Sequence, residues 1–255
     1  MIPKKIHYCW FGGNPLPDMA KHCIESWKKY CPDYEIIEWN EQNFDLNCCD
    51  YVKEAYEAKK WAFVSDVARL YALVTQGGIY MDTDVEVLKP LDDILCCEAV
   101  SGFEGVDRIP TGLMGCEAGQ PMFVELLRDY DDAHFVKPDG TYDTTTNVTR
   151  ITNACLKYGL VLNNEKQTVN GFTLFPKDYF CPKDCETKEL VITENTYTIH
   201  HFDGSWYTAE QRWFSDARQR YRKVMPYKLA SYAATVIGAL KFRGIAGLFN
   251  LKNRS

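Results

Sequence analysis

The stretch AFVSDVARLYALVTQGGIYMDTDVEV, residues 62–87, decides the fold. In its first half, Val67, Leu70, Tyr71 and Val74 recur at i, i+3, i+4 and i+7, an apolar stripe that predicts a helix over Asp66–Thr75. Gln76-Gly77-Gly78 stops it, because glycine supplies the left-handed backbone of a helix cap. The period then changes to 2. Ile79, Met81, Val85 and Val87 share one face, and Tyr80, Asp82, Asp84 and Glu86 the other. This predicts a strand over Ile79–Val87, ended near Lys89-Pro90.

The flanking sequence extends the pattern. Ile6–Phe11 reads as a strand closed by Gly12-Gly13, Asp18–Tyr30 as a helix stopped by Pro32, and Tyr34–Trp39 as a second strand. Strand, helix, strand predicts an α/β domain with parallel strands. Tyr51–Lys60 reads as a charged helix. Glycines at 102, 105, 112, 115 and 119 predict short strands and loops. Leu126–Phe135 and Thr149–Tyr158 are helix candidates, Asp139–Thr146 a loop, and Thr173–Pro176 and Thr196–His201 strands.

The 255 residues are 46% hydrophobic and 25% charged, an ordinary globular composition that excludes a disordered chain. The net charge of -6 is unevenly spread. Residues 217–255 hold nine Lys and Arg and no acid, which leaves -15 on residues 1–216. An acidic body argues against nucleic-acid binding, which needs a basic footprint. The expected division is a catalytic domain over 1–216 and a basic helical segment over 217–255. Basic and apolar clusters without acids suit an amphipathic segment on an anionic membrane, or helices docked on the acidic body; both readings stay open.

The eleven scattered cysteines form no C-x-x-C and read as reduced, small, buried side chains. No secretory leader is expected from Met-Ile-Pro-Lys-Lys, and the longest apolar run, Leu229–Leu240, is shorter than the roughly 20 residues that span a bilayer. A cytoplasmic protein, peripheral on the inner face of a membrane, is the expectation.

Asp82 and Asp84 lie at i and i+2, roughly 7 Å apart in a regular strand, too far to share one ion comfortably. If the strand ends or bends there, one carboxylate can hold Mn²⁺ or Mg²⁺ directly while the other acts through water or on the ligand. A cation bridging a diphosphate neutralises the charge of a departing nucleotide. Asp66 and Arg69, at i and i+3, project from one helix face. They read as site residues, as an internal ion pair, or, for Asp66, as a helix N-cap. His200 and His201 follow a late strand, where an imidazole could reach the same metal.

These runs, with Ile2–Gly12, Ser26–Tyr30 and Pro32–Ile36, resemble the DXD-containing sugar-binding region of glycosyltransferase family 32. That family is similar to the glucosylating domains of large clostridial toxins and, more distantly, to family 8. The resemblance implies a GT-A fold, Rossmann-like with a mixed central sheet, and a metal-dependent, retaining glycosyltransferase. It would move a hexose from a UDP- or GDP-linked sugar to a glycan or lipid-linked glycan, in surface polysaccharide synthesis. Asp66 and Arg69 would bind donor-sugar hydroxyls and orient the diphosphate. Asp84 would bind the metal directly, and Asp82 the ribose or the metal through water. Tyr80 would lie beside the donor, and Tyr8, Trp10 and Phe11 would hold base and ribose. His201-Phe202-x-Gly204 resembles a late metal-binding element of family 8, which favours His201 over His200. Ser205-Trp206 resembles the Ser-Trp ending of family 32, placed at the diphosphate. The competing readings are an aspartyl-phosphate phosphatase, since Asp82-Thr83-Asp84-Val85 fits D-x-D-x-[TV], and a non-catalytic glycan- or membrane-binding module.

Overall fold

Strand β1 (Lys5–Cys9), helix α1 (Asp18–Tyr30) and strand β2 (Glu35–Trp39) form the expected parallel pair with its crossover helix. The computed structural model describes residues 1–204 and 207–249. It divides into two units: Met1–Asp184 with Lys188–Phe202, and Cys185–Thr187 with the chain from Asp203 onward. The second unit thus takes in Asp203–Asp216 as well as the basic segment.

The first unit is built on a mixed seven-stranded sheet in the order β2-β1-β3-β6-β5-β8-β7. Its other strands are β3 (Gly78–Met81), β5 (Ala99–Gly102), β6 (Leu113–Cys116), β7 (Gln167–Val169) and β8 (Phe172–Phe175). β1 runs parallel to β2 and β3, and β6 is antiparallel to β3 and β5. Strand period 2 sends alternate side chains to opposite faces. Cys9, Tyr80, Met114 and Leu174 therefore join one core, beneath α2 (Asp50–Glu57), α3 (Trp61–Gln76), α4 (Pro121–Arg128) and α5 (Asn147–Lys157). Ile6, Tyr8, Ile79 and Met81 join the other, with Trp27 of α1 and Phe180 of the short α6 (Lys177–Phe180). The result is an α/β fold of the GT-A type, a mixed sheet flanked by helices.

Three expected boundaries move. The helix before the glycines starts at Trp61, so Asp66 is an interior helical residue and not an N-cap. Its burial continues back through Val64, and apolar packing carries the helix a turn further than the stripe alone suggests. The candidate helix at Leu126–Phe135 is instead α4, over Pro121–Arg128. Gln120 caps it by accepting the Phe123 N–H at 3.1 Å, and Pro121 starts the first turn, where its missing N–H costs nothing.

The third change matters most for the site. The single strand expected over Ile79–Val87 breaks into β3 and β4 (Val85–Val87). The Val85 N–H donates to Asp82 O at 3.0 Å, turning the chain between the aspartates. β4 leaves the large sheet and pairs antiparallel with β9 (Thr198–His200) in a two-stranded sheet. α1 holds β4 in place: the Trp27 indole donates to Val85 O at 2.7 Å, and the Ser26 hydroxyl accepts the Val87 N–H at 2.9 Å.

The sheet is also pinned at its entrance. His7, fully buried, accepts the Trp39 indole N–H at Nδ1, 3.1 Å, and donates from Nε2 to Gly77 O, 2.8 Å. Burial holds its pKa below the usual imidazole value, so the ring is neutral in one tautomer. Gly78 has φ of 110°, and a Cβ there would lie 2.9 Å from Lys5 Cβ and Lys5 O. Gly78→Ala is therefore expected to cost about 2–3 kcal/mol, read as a lower urea midpoint at unchanged slope.

Candidate active site

The site sits at the end of β3, where the sheet stops and the chain turns. Arg69 reaches it from α3 and is buried with Asp66. Its guanidinium lies 3.4 Å from Asp66 Oδ1 and 3.4 Å from Asp82 Oδ1. It donates to Thr111 O at 3.0 Å and to Ser65 O at 3.1 Å, and stacks over the Tyr80 ring at 4.6 Å. The Tyr80 hydroxyl donates to Asp82 Oδ1 at 2.8 Å. Burial pulls the Arg69 pKa down, but Asp82, Tyr80 and Asp66 outweigh it and the group stays charged. Burial pushes Asp66 up to about 6, against the opposing pull of Arg69.

Helix α5 closes this cluster from the far side. The Asn147 amide donates to Asp66 O at 2.6 Å, and its backbone N–H reaches Asp66 Oδ2 at 3.4 Å. Asn147 Oδ1 in turn accepts the Tyr130 hydroxyl at 2.6 Å. Nothing in the sequence singles out Thr111. A polar residue opening an amphipathic helix signals a cap, but nothing local to residue 147 points to Asp66.

The second half of the site is the turn itself. The Asp82 N–H donates to Gly112 O at 2.8 Å, which ties the turn to the start of β6. Asp84 lies beyond the turn, and His200 Nε2 lies 3.3 Å from its Oδ1. One donor atom each from Asp82, Asp84 and His200 fall within 4.8 Å of one another. The expected ligand His201 points elsewhere, which corrects that assignment. The register of β4 on β9 sets Val85 opposite His200, and adjacent strand residues face opposite ways. His201 therefore meets Glu86, with Nε2 2.8 Å from Oε2, while its backbone N–H donates to Asp84 O at 2.9 Å. His22 of α1 approaches the same Glu86 at 3.3 Å.

The cluster fits a divalent cation. Two carboxylates and an imidazole would suit Mn²⁺ or Mg²⁺, with Asp82, Asp84 and His200 as the residues that would hold it. Gly112 keeps the space beside the cluster open: a Cβ there would lie 2.8 Å from the His200 ring and 3.4 Å from Asp82 Oδ2. The His200 ring also stacks on Phe202 at 4.1 Å. Burial lowers the His200 pKa, but Asp84 raises it further, so the metal-free ring is protonated at neutral pH.

The remaining candidates are spread over β1 and the late loop. Tyr8 is buried against Trp27 and donates to Glu38 Oε2 at 2.6 Å. Trp10 is half-buried, with its indole on Asn14 O at 2.6 Å, and Phe11 packs edge-on against Phe44. Tyr8 faces the α1 side of the sheet, and Phe11 the α3 side. Ser205 and Trp206 lie outside the described residues.

Residues 17–100 match the family model "Glycosyltransferase sugar-binding region containing DXD motif". Fold, motif and cluster together are similar to those of GT-A glycosyltransferases of several families. Inositol phosphoceramide mannosyltransferase 3 of Schizosaccharomyces pombe is 29% identical over 136 residues, 50% of this chain and 37% of that protein. Subversion of eukaryotic traffic protein A of Legionella pneumophila is 28% identical over 119 residues, 36% of this chain and 18% of that protein. The chain thus spans well under half the length of these relatives. Among solved structures, the galactosyltransferase LgtC with donor and acceptor sugar analogs has a TM-score of 0.41 at 12% identity, over 90% of this chain and 95% of that one. The PaToxG glycosyltransferase has a TM-score of 0.42 at 18% identity, over 50% of this chain and 58% of that one.

Because the proton on His200 must leave when its nitrogen binds a cation, Mn²⁺ affinity should rise with pH, by up to about tenfold per unit below the His200 pKa. Calorimetry in buffers of different ionisation enthalpy should show about one proton released per ion. His200→Gln should remove that release and weaken binding by about tenfold or more, while His201→Gln should leave both near the wild-type values.

Proposed function

We propose that the chain transfers a hexose from a UDP- or GDP-linked sugar to a hydroxyl of a glycan or lipid-linked glycan, with retention of anomeric configuration. The observation that carries this reading is the convergence of Asp82, Asp84 and His200 at the end of β3, beside the buried Asp66–Arg69 pair. The three ligands would hold Mn²⁺ or Mg²⁺. When bound, the cation supplies a Lewis acid for the diphosphate oxygens.

The protein's own groups do the rest. Asp66 and Arg69 would take hydroxyls of the donor sugar, and Arg69 adds fixed positive charge near the leaving diphosphate. Their rigidity supports this role: Thr111 O, Tyr80 and Asn147 restrict the pair before any ligand arrives. Tyr80 would lie beside the donor. The base and ribose would occupy the end of β1, where half-buried Trp10 offers a stacking surface and Tyr8 and Phe11 support it from either side. His201 would brace the β4–β9 ladder through Glu86.

Retention fits same-face attack, in which the departing phosphate accepts the acceptor proton and the enzyme positions and stabilises charge. The resemblance of its motifs to family 32 supports a role in surface or capsular polysaccharide, or lipopolysaccharide, synthesis. A relative named for mannosyl transfer to inositol phosphoceramide supports a lipid-linked acceptor. The enzyme would work in the cytoplasm, at the inner face of a membrane. The phosphatase reading places its nucleophile on a first strand, whereas Asp82 follows the third and already binds Tyr80 and Arg69.

Incubating the purified chain with a panel of nucleotide sugars and Mn²⁺, without acceptor, should release free sugar and nucleoside diphosphate. Asp84→Asn should lower that rate by about two orders of magnitude or more. A wild-type rate in this variant would remove the metal assignment.

A further inference from the structure

Helices α7 (Ala209–Arg222) and α8 (Tyr227–Phe249) belong to the second unit, and α8 is apolar on two faces. Ala230, Ala234 and Gly238 recur every four residues and are buried. A Cβ on Gly238 would lie 2.8 Å from Trp213 Cζ3, so this row of small residues lets α8 lie close against α7. Trp213 also meets Phe242 edge-on at 5.8 Å, and Arg243 pairs with Glu210 at 2.7 Å.

If α8 met only water on its other side, that side would be polar. Instead, Leu229 is 58% exposed, Tyr232 70%, Ile237 42% and Leu240 42%, with half-buried Val236 among them. At about 100° per residue, Leu229, Tyr232, Val236 and Leu240 form one stripe, opposite the Ala230–Gly238 row. Lys228 is exposed beside it, while Lys241 lies on the α7 side, 5.0 Å from the centre of the Trp213 ring. Lys223 and Val224, also exposed, sit at the turn between the helices. The charge identifies the occupant. Residues 217–255 hold nine basic residues and no acid, so a second copy of this face would bring like charges together. A surface of phosphate headgroups over hydrocarbon meets both the lysines and the apolar stripe.

We propose that this face docks the enzyme on an anionic lipid bilayer. Leu229, Tyr232, Val236 and Leu240 enter the boundary between headgroups and acyl chains, and Lys223 and Lys228 meet the lipid phosphates. The proposal deepens the membrane placement given above and rests on it. It uses no residue of the carboxylate–histidine site.

The test uses the full chain and vesicles of phosphatidylcholine with or without phosphatidylglycerol. The wild type should sediment with the phosphatidylglycerol vesicles and stay in solution with phosphatidylcholine alone. The exposed-face variant Leu229→Ser/Tyr232→Ser/Leu240→Ser should bind about tenfold more weakly or worse, with unchanged circular dichroism and unchanged donor hydrolysis in solution. Lys223→Glu/Lys228→Glu should lose binding as well. In Tyr232→Trp, brominated phosphatidylglycerol should quench the new fluorescence. Equal binding by the triple variant, absence of quenching, or light scattering that shows the stripe closing a dimer would overturn the proposal. Vesicle binding as stated, with no donor hydrolysis in the wild type, would instead sink the catalytic reading and leave the docking face standing.

Discussion

The buried guanidinium of Arg69 constrains the site more than any other group. A charge taken out of water at this depth is costly unless it is paired and hydrogen-bonded. Arg69 meets that demand with groups from different parts of the chain: Asp66 and Ser65 O on its own helix, Asp82 beyond β3, and Thr111 O before β6. Removal of one carboxylate leaves a partly uncompensated charge, a loss of about 3–5 kcal/mol for buried pairs. The same contacts fix the rotation of α3 and the direction of Asp82. Asp66, held by Arg69, is also the point to which α5 is tied. Much of the site's geometry follows from satisfying one cation.

The sheet supplies the floor on which this happens. β1 and β3 run parallel and are neighbours, so their carboxyl ends open on the same side. In open α/β sheets the crevice outside those ends is where ligands bind. β6 enters antiparallel beside β3, and its preceding residues, Thr111 and Gly112, face the crevice from the other flank. Only glycine at 112 leaves room beside both His200 and Asp82.

What the sequence shows and what it hides divide along chain distance. Asp66 and Arg69 share a helix face by a period of 3.6, a local property readable from four residues. The β1–α1–β2 unit was legible for the same reason. The break between β3 and β4 was not, because residues 79–87 keep a strict alternation throughout. What ends β3 is a choice of partners: β6 takes one part and β9, more than 110 residues later, takes the other. The histidines illustrate this sharply. His200 and His201 are chemically equal; the register sends the His201 ring to Glu86, and the turn between Asp82 and Val85 brings Asp84 to His200. A short motif carries no record of that register. The bond from Asn147 to Asp66 is visible only once the start of α5 meets α3 at that residue.

The β4–β9 ladder has a consequence for how the protein comes into being. Asp84 and His200 are joined through a three-residue pairing that closes a loop of more than a hundred residues. Closing so long a loop is entropically unfavourable, and it is rewarded only when the intervening chain is already organised. Asp82 and Asp84 leave the ribosome early, but their imidazole partner arrives when most of the first unit has been made. A partly synthesised chain thus carries both carboxylates and cannot complete the cluster. The candidate metal cluster is in this sense a checkpoint on assembly, complete only when the end of the first unit has been made.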